Sequence, residues 1–356
     1  MRRSTRFGAV LFTSLLGGLI VAVPAEAAAA GNARVSGTRV FYTAAKGAQN
    51  RVVVTRSGNR ITIDDRVAVK AGPGCKAVKG DRTRVVCRIR TASTRIRIST
   101  GDRADTIVNR TGLGMTADGG TGGDTISGGP GEDILRGGSG SDRLYGYGAS
   151  DVLYGGTGAD RLNGGAGQDF LRGQSGDDVL LGSSGDDFLT GELGADRLDG
   201  GSGNDSLLGD EPGLGRVSAD VLRGGPGRDS VVYANYRNGV TVDLDGSARD
   251  DGQAGEHDTV GADVEDIYSG DGNDRLTGNA SANRFDGGFG DDVLRGGAGD
   301  DVLIGLDGRD SIYGEAGDDE IGDFDMDGDL LDGGTNATLG DRCVVSGPDT
   351  TVDCER

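Results

Sequence analysis

A nine-residue period constrains this chain more than any other feature. From Gly119 it reads GGTGGDTIS, GGPGEDILR, GGSGSDRLY, GYGASDVLY, GGTGADRLN, GGAGQDFLR, GQSGDDVLL, GSSGDDFLT, GELGADRLD and GGSGNDSLL. The sixth position is Asp throughout: Asp124, Asp133, Asp142, Asp151, Asp160, Asp169, Asp178, Asp187, Asp196 and Asp205. The eighth is apolar: Ile126, Leu135, Leu144, Leu153, Leu162, Leu171, Leu180, Leu189, Leu198 and Leu207. A disordered Gly-Asp tract would not hold two residue types in a fixed phase. The 70 glycines among 356 residues therefore belong to a tightly turned repeat.

The period has a direct physical reading. Glycines at the first, second and fourth positions permit positive φ and close backbone approach in a tight turn. The last three residues suffice for a very short strand whose middle, apolar residue points inward. Two nonamers then make one coil, with strands of successive coils ~4.8 Å apart. One coil cannot bury its own leucines, so stability must come from stacking. The aspartates fall into two columns, one from Asp124 to Asp196 and the other from Asp133 to Asp205. Carboxylates ~5 Å apart repel by roughly 0.8 kcal/mol in water and by ~3 kcal/mol at an effective dielectric of about 20. A hard divalent cation between turns reverses that sign, and Ca²⁺ takes its ligands from carboxylate and carbonyl oxygens. The alternative is that these aspartates are turn formers on a solvated surface. That reading predicts Asn and Ser freely mixed in, and almost none occur.

The unit resembles the RTX (repeats-in-toxin, haemolysin-type) calcium-binding nonapeptide G-G-x-G-x-D-x-U-x. The resemblance covers roughly two-thirds of the chain that follows the leader described below. It implies an all-β, right-handed parallel β-roll, or β-solenoid, with each Ca²⁺ held between turns eighteen residues apart. The chain also resembles the small secreted RTX proteins of Gram-positive type.

Outside the regular block the pattern loosens. The unit from Gly209 is six residues longer, around Pro212-Gly213, and carries Asp220 and Leu222; the next carries Asp229 and Val231. Residues 230–268 leave the nonamer. There SVVYANYRNGVTVDL alternates as a longer half-buried strand does, and the segment reads as a spacer of wider coils. The repeat resumes at Ser269 with Asp274, Asp292, Asp301, Asp310 and Asp319. Asn283 stands in for Asp in one unit, whose site should be weaker. Asp329 and Asp341 follow insertions. Upstream, Asp105 and Ile107 form a divergent first unit. Pairing these aspartates implies roughly a dozen calcium ions.

The N-terminal residues have a different character. Arg2, Arg3 and Arg6, an apolar run over 9–23 and Ala25-Glu26-Ala27 read as an export signal cleaved after Ala27. Residues 28–100 carry 16 Lys/Arg against 3 Asp/Glu, whereas residues 101–356 carry 18 against 53. Pieces such as RVFYTA, RVVVTR, RITID, TRVVCRI and TRIRIS, with the turn Ser57-Gly58-Asn59, make 28–100 a small basic β segment. The expected organisation is signal 1–27, basic segment 28–100, repeat block 101–229, spacer 230–268, second block 269–342 and a C-terminal cap 343–356. The four cysteines form two local pairs, Cys75 with Cys87 and Cys343 with Cys354. In an exported chain such pairs favour disulfides, although three connectivities are possible.

These features argue against several function classes. A zinc-protease helix needs two histidines, and His257 stands alone, flanked by Glu256 and Asp258. No G-x-S-x-G elbow occurs, so no enzyme is expected. No second hydrophobic segment follows the signal, so the mature form should lack a membrane span. The expected protein is a secreted, monomeric calcium-binding module, a rigid extracellular structural or binding element. The alternative is an accessory or targeting module of an extracellular hydrolase. The basic segment could dock onto an anionic cell-surface polymer.

Overall fold

The computed structural model describes residues 30–90, 95–213, 218–336 and 340–355. The expected signal segment lies outside them. Among the described residues every regular element is a strand, and no helix is long and apolar enough to cross a membrane. The strands wind into a parallel β-solenoid of about 14 turns.

Within the regular block, successive strands alternate between two facing sheets. Strands such as Ile134–Ser139, Val152–Thr157 and Phe170–Ser175 stack on one face; Arg143–Gly148, Arg161–Ala166 and Val179–Ser184 stack on the other. Register is eighteen residues per coil: Leu144 pairs with Leu162, and Leu162 with Leu180. The strands are six residues long, not three. Each runs from the seventh position of one nonamer through the third of the next, as in VLYGGT, because the glycine pair continues in extended pairing before the corner. The eighth-position side chains meet in the centre and are essentially inaccessible. A Cβ on Gly156, whose φ is +122°, would collide with the carbonyl oxygen of Gly138 in the preceding coil. Glycine there is what lets the coils approach to hydrogen-bonding distance.

The longer unit after Leu207 keeps this register despite its six extra residues. Arg197 pairs with Val221 and Leu198 with Leu222. The spacer behaves differently from the expected single long strand. It breaks into Ser230–Val232 and Val240–Asp243, which belong to different sheets. The corner between them is filled by the buried, edge-on pair Tyr233 and Tyr236, 5.1 Å apart. Ser230–Val232 continues the first sheet, through Asp266–Tyr268 and on into the second block. On the opposite face one sheet ends at Thr259–Val260, and a new one starts with Val240–Asp243 pairing onto Arg275–Thr277.

The ends of the solenoid are built from the same two faces. Arg39–Thr43 and Arg51–Ser57 lie parallel to the first repeat strands, and each then takes an antiparallel partner, Gly31–Ser36 and Arg60–Asp64. The strand Arg95–Asp102 runs through the point where the charge changes sign, so both charge regimes share one sheet. A disulfide joins Cys75 to Cys87, which face each other across adjacent strands. At the other end Arg342–Val344 and Thr350–Val352 add one further coil, and a second disulfide links Cys343 to Cys354.

Leu162 tests the packing account by itself. Leu162→Ala should cost about 2–5 kcal/mol, since the flanking coils are fixed by their own hydrogen bonds and cannot collapse onto the cavity. Denaturant unfolding in saturating calcium measures the loss, and calcium stoichiometry should be unchanged. A fall in stoichiometry would place the leucine in the ion site.

Candidate metal centre

The aspartates sit where each corner turns into a strand, and they point inward. Asp124, Asp142, Asp160, Asp178 and Asp196 are each about 1 % exposed, which removes the reading of solvated turn formers. Their hydrogen bonding follows one rule. The backbone N–H of Asp142 donates to Oδ1 of Asp160 at 2.7 Å, that of Asp160 to Oδ1 of Asp178, and that of Asp178 to Oδ1 of Asp196. The second column repeats it from Asp133 to Asp151, Asp169, Asp187 and Asp205.

One carboxylate oxygen is thus used and the other is not. Oδ2 has no hydrogen-bond partner and is buried in every aspartate singled out from the sequence, from Asp105 to Asp329. Buried charged oxygens need a partner, because desolvation is otherwise uncompensated. The first-position glycine makes room for it. Over the bare Cα of Gly155, Oδ2 of Asp160 converges with the carbonyl oxygen of Gly173 from the following coil. The same pairing recurs at Gly137, with Asp142 and Gly155, and at Gly296, with Asp301 and Gly314. Several acceptor oxygens meet with no donor among them. That donor set suits a hard cation with high oxygen coordination, which describes Ca²⁺.

Electrostatics agree with the geometry. Burial pushes the Asp142 and Asp160 carboxyls up to about 6, against the opposing effect of the N–H bond each accepts. Asp178 rises to about 7 and Asp196 to about 8, burial again leading and neighbouring carboxylates adding to it. Burial thus holds these carboxyls toward their protonated form.

The columns extend beyond the residues chosen from sequence. The first begins on a neutral residue, Asn50, whose N–H donates to Oδ1 of Asp105. Asp220 passes its N–H to Asp258, and Asp229 to Oε2 of Glu265. Asp319 is followed by Asp341, and Asp329 by a long contact of 3.4 Å to Asp349. Asp258-Thr259-Val260 and Glu265-Asp266-Ile267 keep the acid-x-apolar spacing, so a signal existed; the missing glycines concealed it. Asn283 occupies its rung differently. Its Oδ1 accepts from the N–H of Asn279 and its amide donates to the carbonyl of Glu265. A neutral side chain can satisfy itself there, as the carboxylates cannot.

His257 is exposed, with φ +66° in a loop, while its neighbours are buried: Tyr233 donates to Asp258 and Tyr236 to Glu256. A group at Asp243, Asp245 and Asp250 lies nearer the surface. There Oδ1 of Asp243 accepts from the N–H of Asp245, and Oδ1 of Asp245 from that of Ser247, so they close turns.

A parallel solenoid with columns of buried, half-satisfied carboxylates defines a cation-binding repeat protein. The family model of the RTX calcium-binding nonapeptide repeat matches residues 118–153, 136–171, 145–180, 172–207, 259–294 and 295–321. This chain belongs to the RTX calcium-binding repeat family. No curated protein matches it.

The raised carboxyls fix a pH dependence for the calcium-free chain. Folded values above the unfolded value of about 3.9 mean that the folded state holds more protons between roughly pH 4 and 8. Stability then falls as pH rises through about 6 to 8, the folded values of these aspartates. Far-ultraviolet circular dichroism of calcium-stripped protein should lose β signal between pH 5 and pH 8, roughly the window those values span. A signal that instead grows over this window would contradict the burial of the columns.

Proposed function

We propose that this protein is an exported module whose solenoid folds on calcium and then acts as a rigid extracellular spacer or binding element. The row of buried Oδ2 atoms without donors carries the reading. Such a row is compatible with a folded chain at neutral pH only if cations neutralise it. Disulfides near both ends suit an oxidising compartment. Each aspartate of a column takes part in two successive steps. On this reading Asp105, Asp124, Asp133, Asp142, Asp151, Asp160, Asp169, Asp178, Asp187, Asp196, Asp205, Asp220, Asp229, Asp274, Asp292, Asp301, Asp310, Asp319 and Asp329 all contribute to ion binding.

Millimolar calcium added to stripped protein at neutral pH should restore the β spectrum, and chelator should remove it. Asp160→Ala should lower the calorimetric stoichiometry, whereas Leu162→Ala should not. A spectrum indifferent to chelator would refute calcium-coupled folding.

The basic segment supplies docking surfaces in this proposal. Arg39 pairs in register with Arg95 on one sheet and Arg60 with Arg88 on the other, so each sheet carries a pair of positive side chains on its outer surface. A linear anionic polymer of the cell surface is complementary to such rows. The calcium-loaded chain should be retained on such a polymer at physiological salt. Replacing Arg39, Arg60, Arg88 and Arg95 by Gln should release it. Equal retention of that variant would dismiss the docking role.

A further inference from the structure

The first position of a nonamer is normally glycine, because the aspartate Oδ2 and a carbonyl of the next coil occupy the space a side chain would need. Thr100 and Ser269 are exceptions that explain themselves. Each hydroxyl donates to the carbonyl that converges there, of Gly119 at 3.0 Å and of Gly287 at 2.6 Å. The unit that begins DFDMDGD breaks the rule differently. It has one residue more than the standard spacing, and Asp323 stands at its first position. A carboxylate cannot donate to the acceptors that meet at that point.

Asp323 is nonetheless held inside, about 1 % exposed, with Oδ2 buried and unpartnered. Its ligand-type oxygen lies within 4.8 Å of those of Asp310 and Asp329, whose Oδ2 atoms are also orphaned. The rest of the insertion secures this position. The N–H of Asp323 donates to the carbonyl of Val344, and Asp325 accepts from Gly308 on the neighbouring coil and from Asp327 within the loop. Phe324 and Met326 alternate outward, 56 % and 77 % exposed, so the loop's apolar residues do not draw it into the core. Elsewhere in the columns of the described residues, no three carboxylates gather so closely.

We propose that Asp323 converts the step between Asp310 and Asp329 into a three-carboxylate calcium site that binds more tightly than the steps of the regular columns. The proposal rests on the calcium reading of the columns and adds a distinct affinity class to it. Its location couples that class to the C-terminal coil, since Asp323 is bonded to the segment that follows Cys343.

Calcium titration of the full chain against a chromophoric chelator tests it. The unaltered protein should show one site stronger than the rest, and Asp323→Asn should weaken that site roughly tenfold or more, following the loss of ligand charge. Asp327→Asn makes the same charge change at an exposed position of the same loop and should leave it intact. An unchanged strongest site in Asp323→Asn, or equal weakening by Asp327→Asn, overturns the proposal while leaving the columns' calcium binding standing. A chain that binds no calcium at all overturns both. Hydrogen exchange on the unaltered chain gives a second readout should Asp323→Asn not fold. Protection of Glu320–Gly322 and Leu330–Asp332 should appear at lower calcium than protection around Leu162. Simultaneous protection, or the reverse order, also overturns it.

Discussion

The structure depends on one unfinished hydrogen-bonding arrangement. A carboxylate offers two oxygens, and the backbone of the preceding coil supplies one N–H. The second oxygen, buried beside a carbonyl, has no donor. Each desolvated, uncompensated anion costs roughly several kcal/mol even after relaxation. A domain is stable by only about 5–15 kcal/mol. A few such anions would exhaust that margin, and the columns contain many more. The metal-free solenoid is therefore foldable only with its aspartates protonated. In the function proposed above, divalent cations supply the compensation at neutral pH, and binding and folding become one process.

The nonamer can be understood from that requirement. The aspartate must turn inward beside a close carbonyl, so the first position has no side chain. The coils must approach to strand spacing, so the second position takes a positive φ. Two residues after the aspartate, pleating brings a side chain to the centre, and a leucine there seals the core. Hydrophobic burial contributes one large side chain per strand, less than an ordinary domain of this size gathers. The core is a thin file of leucines, and in the function proposed above the ions add cohesion between coils.

Much of this was legible in the sequence because phase encodes it. From their places in the repeat, Asp160 and Leu162 take different places in the coil: Leu162 lies in the core, and Asp160 lies buried at the corner, bonded to the next rung. Strand length was not legible, because nothing in a Gly-Gly pair distinguishes extended pairing from a turn. The spacer misled for a related reason. Alternation in SVVYANYRNGVTVDL is real, but the buried tyrosines Tyr233 and Tyr236 turn a corner that a periodicity argument reads straight through. Asp258 and Glu265 were not legible, because their units lack the glycines of the repeat and keep only the acid-x-apolar spacing. Asp323 has no signal in the nonapeptide at all, and its role emerges only when the cradle it fills is seen.

The insertions reveal which constraint is the stricter. The N–H of Asp196 reaches Asp220 over 24 residues and that of Asp220 reaches Asp258 over 38, yet the bond lengths remain 2.8 and 2.9 Å. Extra chain between rungs leaves the rung bonds intact, and closing a longer loop adds only slowly to the entropic cost. A shift of one residue within a strand, by contrast, would exchange inward and outward faces and remove a leucine and a carboxylate together. The columns thus tolerate additions at corners and resist them in strands. Glu265 on the second column shows the limit of that tolerance. A longer acid is accepted there, and its rung is followed by the neutral Asn283, which bonds back to the carbonyl of Glu265. Where the reach of the acid changes, the charge of the next rung is given up, and the uninterrupted stack of anions is broken at that point.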